Sequence, residues 1–241
     1  MNKRINDGKF WNFSENENKE RTLYLSGVIA DEAWLDDNIT PKQFKEELLK
    51  DDKDITLWIN SIGGDVLLAI QIYNMLKEYK GKVTVKIDAL AASAASIVAM
   101  AGDKIYVSPL SIIMVHNPET LAVGNKYDME KAGEMLDEIK EAIINAYECK
   151  TKLARNQIAE FMDNETWFSA KKAVEFGFAD GILYEEDEEK NHIKDVEKEN
   201  KKETNKMIND FIYSSKLSAN MNLYKKDNAF KVLKDRLNLI K

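Results

Sequence analysis

One run of small and apolar residues, from Asp88 to Gly102, interrupts an otherwise highly charged chain and constrains its fold more than any other stretch. The run reads DALAASAASIVAMAG, with thirteen uncharged residues between its ends. That length is too short to span a bilayer and suits a buried helix in the core of a domain. Alanine flanks its two serines, Ser93 and Ser96, almost everywhere. Because alanine leaves room for another backbone or a substrate to come close, the run has the access that a nucleophile needs.

The segments on either side of Ser93 predict a change of secondary structure there. Residues 82–87 alternate valine and isoleucine with polar side chains, which predicts a strand. A helix is predicted from about residue 94 to near Gly102. A serine at such a junction can direct its hydroxyl and the next N–H toward one point, where unpaired helix amides stabilise an oxyanion. Ser96 lies one turn further in, where a hydroxyl more often bonds to a carbonyl four residues earlier. The alternative is that both serines are small core residues.

Length and charge limit the classes of function. The chain has 241 residues, 44% of them hydrophobic, which is enough for one sizeable core and a smaller appendage. Its net charge of -7 and pI of about 5.1, without a basic block, argue against a nucleic-acid binder. The first residues lack a long apolar run, so we expect no secretory signal and a cytoplasmic protein.

Strand and helix patterns alternate along the chain, which indicates a single α/β domain. The predicted strands are 22–29, 55–59, 82–87, 104–107, 111–116 and around 182–183, and the predicted helices are 40–50, 66–76, 94–102, 126–152, one from 155, and 170–176. The long helix carries an apolar stripe of Met129, Ala132, Leu136, Ile139, Ile143 and Ala146, which we interpret as a subunit interface.

Four segments are predicted from these patterns. Residues 1–20 are a polar N-terminal arm with an aromatic island, and residues 21–184 are the main domain. Residues 185–205 are a charged linker or exposed helix, because charges of both signs replace almost all aliphatic residues there. Residues 206–241 regain apolar side chains and are predicted to be a helical tail.

The pair Gly63-Gly64 follows the second predicted strand. Glycine permits unusual backbone angles and the close approach of a second chain segment, so an N–H can point into a cleft. An ordinary turn between strand and helix is the alternative for this pair.

His116 is the candidate general base. Only two histidines exist in the chain, and the other, His192, lies in a charged and solvated run. If an imidazole activates a serine in this protein, His116 is the base by elimination. The alternative is a structural histidine that closes a strand.

Four pieces of sequence, taken in order, resemble the Clp protease proteolytic subunit family (ClpP), and within it the branch of phage head-maturation proteases. The resemblance covers about residues 21–183. The pieces are INSIGGDV at 59–66, LAASAAS at 90–96, MVHNP at 114–118 and ETWFSAKKAVEFGFAD at 165–180.

This resemblance implies a fold of stacked β-β-α units, related to that of crotonases, with a protruding helical handle. It also implies heptameric rings that stack face to face into a tetradecamer around a chamber. In this chain it places the nucleophile on Ser93, the general base on His116, and the oxyanion-hole amides on Gly64 and Ala94. The implied reaction is hydrolysis of peptide bonds through an acyl-enzyme.

The sequence departs from the family pattern in three places. The family's third catalytic residue is usually an aspartate four residues before the serine of the last motif, and that position is Glu165 here; Asp163 is the rival. The glycine pair is preceded by Ile62 where the family has proline. The N-terminal arm does not resemble the family's axial loops, and the charged tail is additional, which leaves a Clp ATPase partner open.

Several alternatives accompany the peptidase hypothesis. A crotonase-type acyl-CoA enzyme would use the amides of Gly64 and Ala94 without needing Ser93 and His116 together. A structural ring protein would have a silent site, and a Ser-Lys dyad would need Lys86 or Lys104 with a lowered pKa. For the peptidase we expect a polypeptide substrate, with phage capsid or scaffold proteins as candidates, in a host cytoplasm or procapsid. We expect no cofactor, metal, nucleic acid or membrane.

Overall fold

The computed structural model describes residues 9–30 and 41–184. The predicted linker, the predicted tail and His192 lie outside the described residues, as do the first eight residues of the predicted arm. The division of the chain into arm, domain, linker and tail stays a prediction.

The described residues form strands and helices that alternate through most of the chain. Their bounds are β1 (Trp11–Glu15), β2 (Arg21–Ile29), α1 (Pro41–Leu48), β3 (Ile55–Gly64), α2 (Val66–Glu78), β4 (Val83–Ala92), α3 (Ala94–Ala99), β5 (Lys104–Val107), β6 (Ile112–Val115), α4 (Lys126–Thr151), α5 (Arg155–Asp163), β7 (Thr166–Ser169), α6 (Ala170–Glu175) and β8 (Gly181–Ile182). The predicted α/β class is confirmed.

The strands make one sheet in the order β1-β2-β3-β4-β5-β8, with β6 paired to β4 and β7 paired to β6. Pairing is parallel from β2 through to β8, whereas β1 runs antiparallel to β2. In β3 and the first half of β4 the apolar residues alternate with polar ones, so one face enters the core. Leu57, Ile59, Val85 and Ile87 are fully buried on that face.

Along one of its edges, strand β4 pairs with two different strands, and the second pairing brings the ends of β4 and β6 together. Its first half, Thr84 to Ile87, pairs with β5, while Leu90 to Ala92 pairs with β6. In the second half Ala92 lies opposite Met114 in parallel register. The residues that directly follow these two strand segments therefore emerge side by side at one edge of the sheet.

The N-terminal aromatic residues pack onto the domain itself. Trp11 is buried, contacts the ring of Phe44 on α1 and donates an indole hydrogen bond to Glu47 at 3.1 Å. Arg21 is also buried, and its guanidinium donates to the Leu48 carbonyl at 2.8 Å and pairs with Asp51 at 3.1 Å. These bonds hold the end of α1 against the start of β2.

Helix α4 is exposed in its first half and buried near its C-terminal end. A capping box between Asn125 and Asp128 fixes its start. Its first half is largely exposed, including Met129 of the predicted stripe, whereas Ile143 and Ala146 near its end are buried in the core. The helix thus enters the domain only through its C-terminal turns. Among the helices of residues 9–30 and 41–184, none is long and apolar enough to cross a membrane.

Candidate active site

Ser93 occupies a strained bend between β4 and α3. Its φ of 54° and ψ of -125° are unusual for a residue with a side chain, and such strain persists only when neighbours hold it. The Ser93 N–H donates to the Met114 carbonyl at 2.9 Å, which ties the bend to β6. The side chain is half-buried. The bend therefore directs a hydroxyl out of the sheet edge while its backbone stays anchored.

His116 lies within bonding distance of this hydroxyl. Ser93 Oγ and His116 Nε2 are 2.6 Å apart. The β4–β6 register explains the contact, because Ala92 lies opposite Met114 and both side chains follow just beyond that pair. When Nε2 is unprotonated it accepts a hydrogen bond from the serine hydroxyl. From this position the imidazole can take the hydroxyl proton and so activate the serine for attack.

Gly63 and Gly64 pack closely against two backbone segments, the Ser93 bend and the end of β2. Gly63 has a φ of +92°, and a Cβ added to it would lie 2.6 Å from the Ala92 carbonyl and 2.8 Å from Ser93 Cβ. Gly64 has a φ of +148°, and its added Cβ would lie 2.0 Å from the Ile29 carbonyl. Only glycine fits these two positions. The backbone of Gly63 lies directly beside the Ser93 bend, and the backbone of Gly64 lies beside the end of β2.

The two predicted oxyanion amides belong to these touching segments. The same added Cβ on Gly63 would lie 2.9 Å from the backbone nitrogen of Ala94. Ala94 is the first residue of α3, where an N–H has no acceptor within the helix. Ser61 supports the glycine turn, because its Oγ accepts from the Gly63 N–H at 3.1 Å and donates to the Gly27 carbonyl at 2.6 Å.

Glu165 lies across from His116 but does not bond to it. Strands β6 and β7 are antiparallel with Val115 opposite Thr166, so the next step outward sets His116 opposite Glu165. Glu165 has a φ of 45°, and its Oε1 accepts from the Trp167 indole at 3.2 Å. Within residues 9–30 and 41–184, no hydrogen bond reaches Nδ1 of His116.

Asp163, the rival third member, is engaged elsewhere. Its Oδ1 accepts from Asn117 Nδ2 at 2.8 Å and from Lys140 Nζ at 2.5 Å. These two donors, the Lys140 ammonium first, hold the pKa of the Asp163 carboxyl below its ordinary value. Asp163 thus connects the residue after His116 to helix α4.

The lysines considered for a Ser-Lys dyad also have other partners. Lys86 Nζ lies 5.3 Å from the centroid of the Trp58 ring, and Lys104 Nζ pairs with Asp180 at 3.2 Å. Neither ammonium hydrogen-bonds to Ser93 in the part of the chain that the structure describes.

Sequence reasoning missed one polar residue beside the site, Tyr147 on α4. Its hydroxyl lies 2.7 Å from Ser96 Oγ, although its ring is buried. Tyr147 stands four residues after Ile143, so extending the apolar stripe of α4 by one turn would have found it.

Comparison with known sequences gives one consistent result. The sequence model of the family described as Clp protease matches residues 8–186. The ATP-dependent Clp protease proteolytic subunit of Carsonella ruddii is 29% identical over 186 residues, which cover 76% of this chain and 94% of the relative. Proteolytic subunit 2 of Thermobifida fusca is 32% identical over 171 residues, with 68% and 81% covered. Subunit 1 of Chlamydia abortus is 29% identical over 168 residues, with 68% and 86% covered.

Proposed function

This chain belongs to the Clp protease family and is a serine-type peptidase, and we propose that it hydrolyses peptide bonds with Ser93 as nucleophile and His116 as base. The observation that carries the proposal is the 2.6 Å contact between Ser93 Oγ and His116 Nε2 at the strained bend. The acyl-CoA and structural-ring alternatives do not require that contact.

The proposed reaction has two halves. Ser93 Oγ attacks the substrate carbonyl carbon while His116 Nε2 takes the hydroxyl proton. The resulting oxyanion accepts hydrogen bonds from the N–H groups of Gly64 and Ala94. His116 then gives its proton to the leaving amine, the C–N bond breaks, and an acyl-enzyme remains. His116 next takes a proton from a water molecule, which attacks the acyl carbon. The ester C–O bond then breaks, His116 gives the proton to Ser93 Oγ, and the carboxylic acid product leaves.

We assign the third position to Glu165. Strand register sets it opposite His116, whereas Asp163 is already held by Lys140 and Asn117. In the active arrangement the Glu165 carboxylate turns from the Trp167 indole to Nδ1 of His116 and stabilises the imidazolium. The positive φ of Glu165 supports this role, because backbone strain concentrates at functional sites.

The two acids are distinguished by amide substitutions. Glu165→Gln keeps the shape but removes the negative charge, and we expect kcat to fall about 10³-fold with KM little changed. Asp163→Asn is the matched control and should keep kcat within about threefold, since the exposed Asp163 carboxylate bonds Lys140 and Asn117 and does not contact His116. Steady-state hydrolysis of a fluorogenic peptide measures both. The reverse order of effects would assign the third position to Asp163.

Membership of the Clp protease family supports a proposal for the oligomeric assembly and the partners of this chain. We propose that heptameric rings of this chain stack into a tetradecamer and enclose the sites, with the exposed first half of α4 as a contact surface. The relatives are named as ATP-dependent proteases, which supports an ATPase partner. Phage capsid or scaffold proteins as substrates, in a host cytoplasm or procapsid, rest on the sequence resemblance alone.

Native mass and peptidase activity, measured on one sample, test the proposed function. We expect a mass of seven or fourteen times the 27.6 kDa chain, together with hydrolysis of a short fluorogenic peptide. Rings without hydrolysis would favour the structural alternative. Turnover of an acyl-CoA instead of the peptide would favour the crotonase alternative.

A further inference from the structure

Two buried hydroxyls connect helix α4 to the carbonyl of Ser93. Ser96 is fully buried, and its Oγ lies 2.6 Å from the Ser93 carbonyl oxygen and 2.7 Å from the Tyr147 hydroxyl. The sequence predicts a bond to the carbonyl four residues earlier, but the bond reaches only three residues back. Because α3 begins at Ala94, the acceptor is the nucleophile's own carbonyl.

Counting protons fixes the direction of both hydrogen bonds. A carbonyl cannot donate, so the single hydroxyl proton of Ser96 goes to the Ser93 oxygen. The Tyr147 hydroxyl must then donate to Ser96 Oγ. Burial raises the pKa of Tyr147, so the phenol keeps its proton throughout the working pH range. The relay runs one way, from Tyr147 through Ser96 to Ser93.

The accepting carbonyl shares a rigid peptide with a proposed oxyanion donor. The Ser93 C=O and the Ala94 N–H belong to one planar trans unit, in which they point in opposite directions. Any bond that fixes the carbonyl therefore fixes the N–H. Ser96 supplies two such bonds, since its backbone N–H also donates to the Ser93 carbonyl at 2.9 Å.

Packing alone does not account for these hydroxyls. The neighbours of Ser96 on α3 are alanine, isoleucine and valine, and all are buried. Tyr147 packs edge-on against Phe178, with ring centroids 5.5 Å apart. Alanine in place of Ser96 and phenylalanine in place of Tyr147 would fill nearly the same space. They would also avoid burying two hydroxyls, and a buried hydroxyl costs free energy unless it is hydrogen-bonded. The two hydroxyls instead form a chain of hydrogen bonds that ends at the Ser93 carbonyl.

We propose that Ser96 and Tyr147 are positioning residues that hold the Ser93–Ala94 peptide so that the Ala94 N–H faces the oxyanion. The inference rests on the proposed function, because it assigns a task to that same site. It assigns Tyr147 a role from the core end of α4, far along the chain from Ser93.

Three variants test the proposal: Ser96→Ala, Tyr147→Phe and the double variant. We expect Ser96→Ala to lower kcat about tenfold with KM within about twofold, because a misdirected donor weakens only the transition state. Tyr147→Phe should lower kcat about threefold, since Ser96 keeps its bond to the carbonyl. The rate at which a fluorophosphonate modifies Ser93, followed by intact mass, should fall in the same order.

Stability provides the readout that separates positioning from packing. Ser96→Ala leaves the Tyr147 hydroxyl buried without its partner, so the melting temperature should fall by about 4 °C. The double variant removes both hydroxyls and should recover most of that loss while kcat stays low. Recovery of kcat together with stability, or an unchanged kcat and labelling rate in Ser96→Ala, would overturn the inference alone. Wild-type protein that neither cleaves peptide nor reacts at Ser93 would overturn the proposed function, and this inference with it.

Discussion

Ser93→Ala is expected to abolish peptide hydrolysis, with kcat reduced by about 10⁵-fold or more, as in other serine proteases that lose their nucleophile. The change removes the atom that attacks the carbonyl and the hydroxyl that His116 contacts. Reaction with a fluorophosphonate should disappear as well. The fold should persist, because the bond from the Ser93 N–H to Met114 belongs to the backbone. A fluorogenic peptide assay and intact mass measure the two losses.

Ser108→Ala is the matched control for this substitution. Ser108 lies in the turn between β5 and β6, and its side chain makes no hydrogen bond among the described residues. We expect its activity and labelling to equal those of the unmodified protein. If Ser93→Ala still reacts with the fluorophosphonate, the nucleophile is a different residue.

Gly63→Ala is expected to reduce kcat/KM by at least about 10²-fold, which is the loss that other proteases show when one oxyanion-hole donor is removed. The added methyl would lie 2.6 Å from the Ala92 carbonyl and 2.8 Å from Ser93 Cβ, which real Cβ atoms do not tolerate. The bend must therefore move. A φ of +92° adds strain for alanine, so the free energy of unfolding should also fall, by about 2 kcal/mol. Peptide hydrolysis and chemical denaturation measure the two effects.

Gly133→Ala tests whether the loss depends on position. Gly133 lies within α4, and an added Cβ there meets nothing within 4 Å. Alanine is the better helix former, so the free energy of unfolding should rise by about 0.5–1 kcal/mol instead of falling. If Gly63→Ala behaves like Gly133→Ala, Gly63 does not pack against the nucleophile as described.

The sequence predicts the order of the main strands and helices well because their apolar periodicity is strong. Strand β5 and helix α4 match their predicted bounds within a residue. The N-terminal strand β1 was not predicted, since its aromatic residues are followed by a polar run that indicates a loop. Its pairing with β2 depends on tertiary contacts of Trp11 with α1. Strand β7 was missed for a similar reason, because four residues are too few to show alternation.

The same distinction between local sequence and tertiary contacts applies to the site residues. The alanine-rich bend indicated Ser93, and the presence of only two histidines indicated His116. The distance between their side chains depends on the β4–β6 register, which local sequence does not encode. The side chain of Glu165 accepts from the Trp167 indole, a tertiary detail that no periodicity reveals. Extending the apolar stripe of α4 would have placed Tyr147 in the core, but the bond of its hydroxyl to Ser96 depends on how α3 and α4 pack, which periodicity does not show.

The division of β4 between two partners has a consequence for the newly made protein. The bend at Ser93 is anchored by Met114 on β6, and β6 in turn pairs with β7, which ends at Ser169. The bond between Ser93 and Met114 spans about twenty residues, whereas the pairing of β6 with β7 joins segments more than fifty residues apart, and contacts of that length close slowly. A chain emerging from the ribosome therefore exposes its serine well before β7 exists to complete the surroundings. The surroundings of Ser93 are therefore complete only after residues 166–169 have been made.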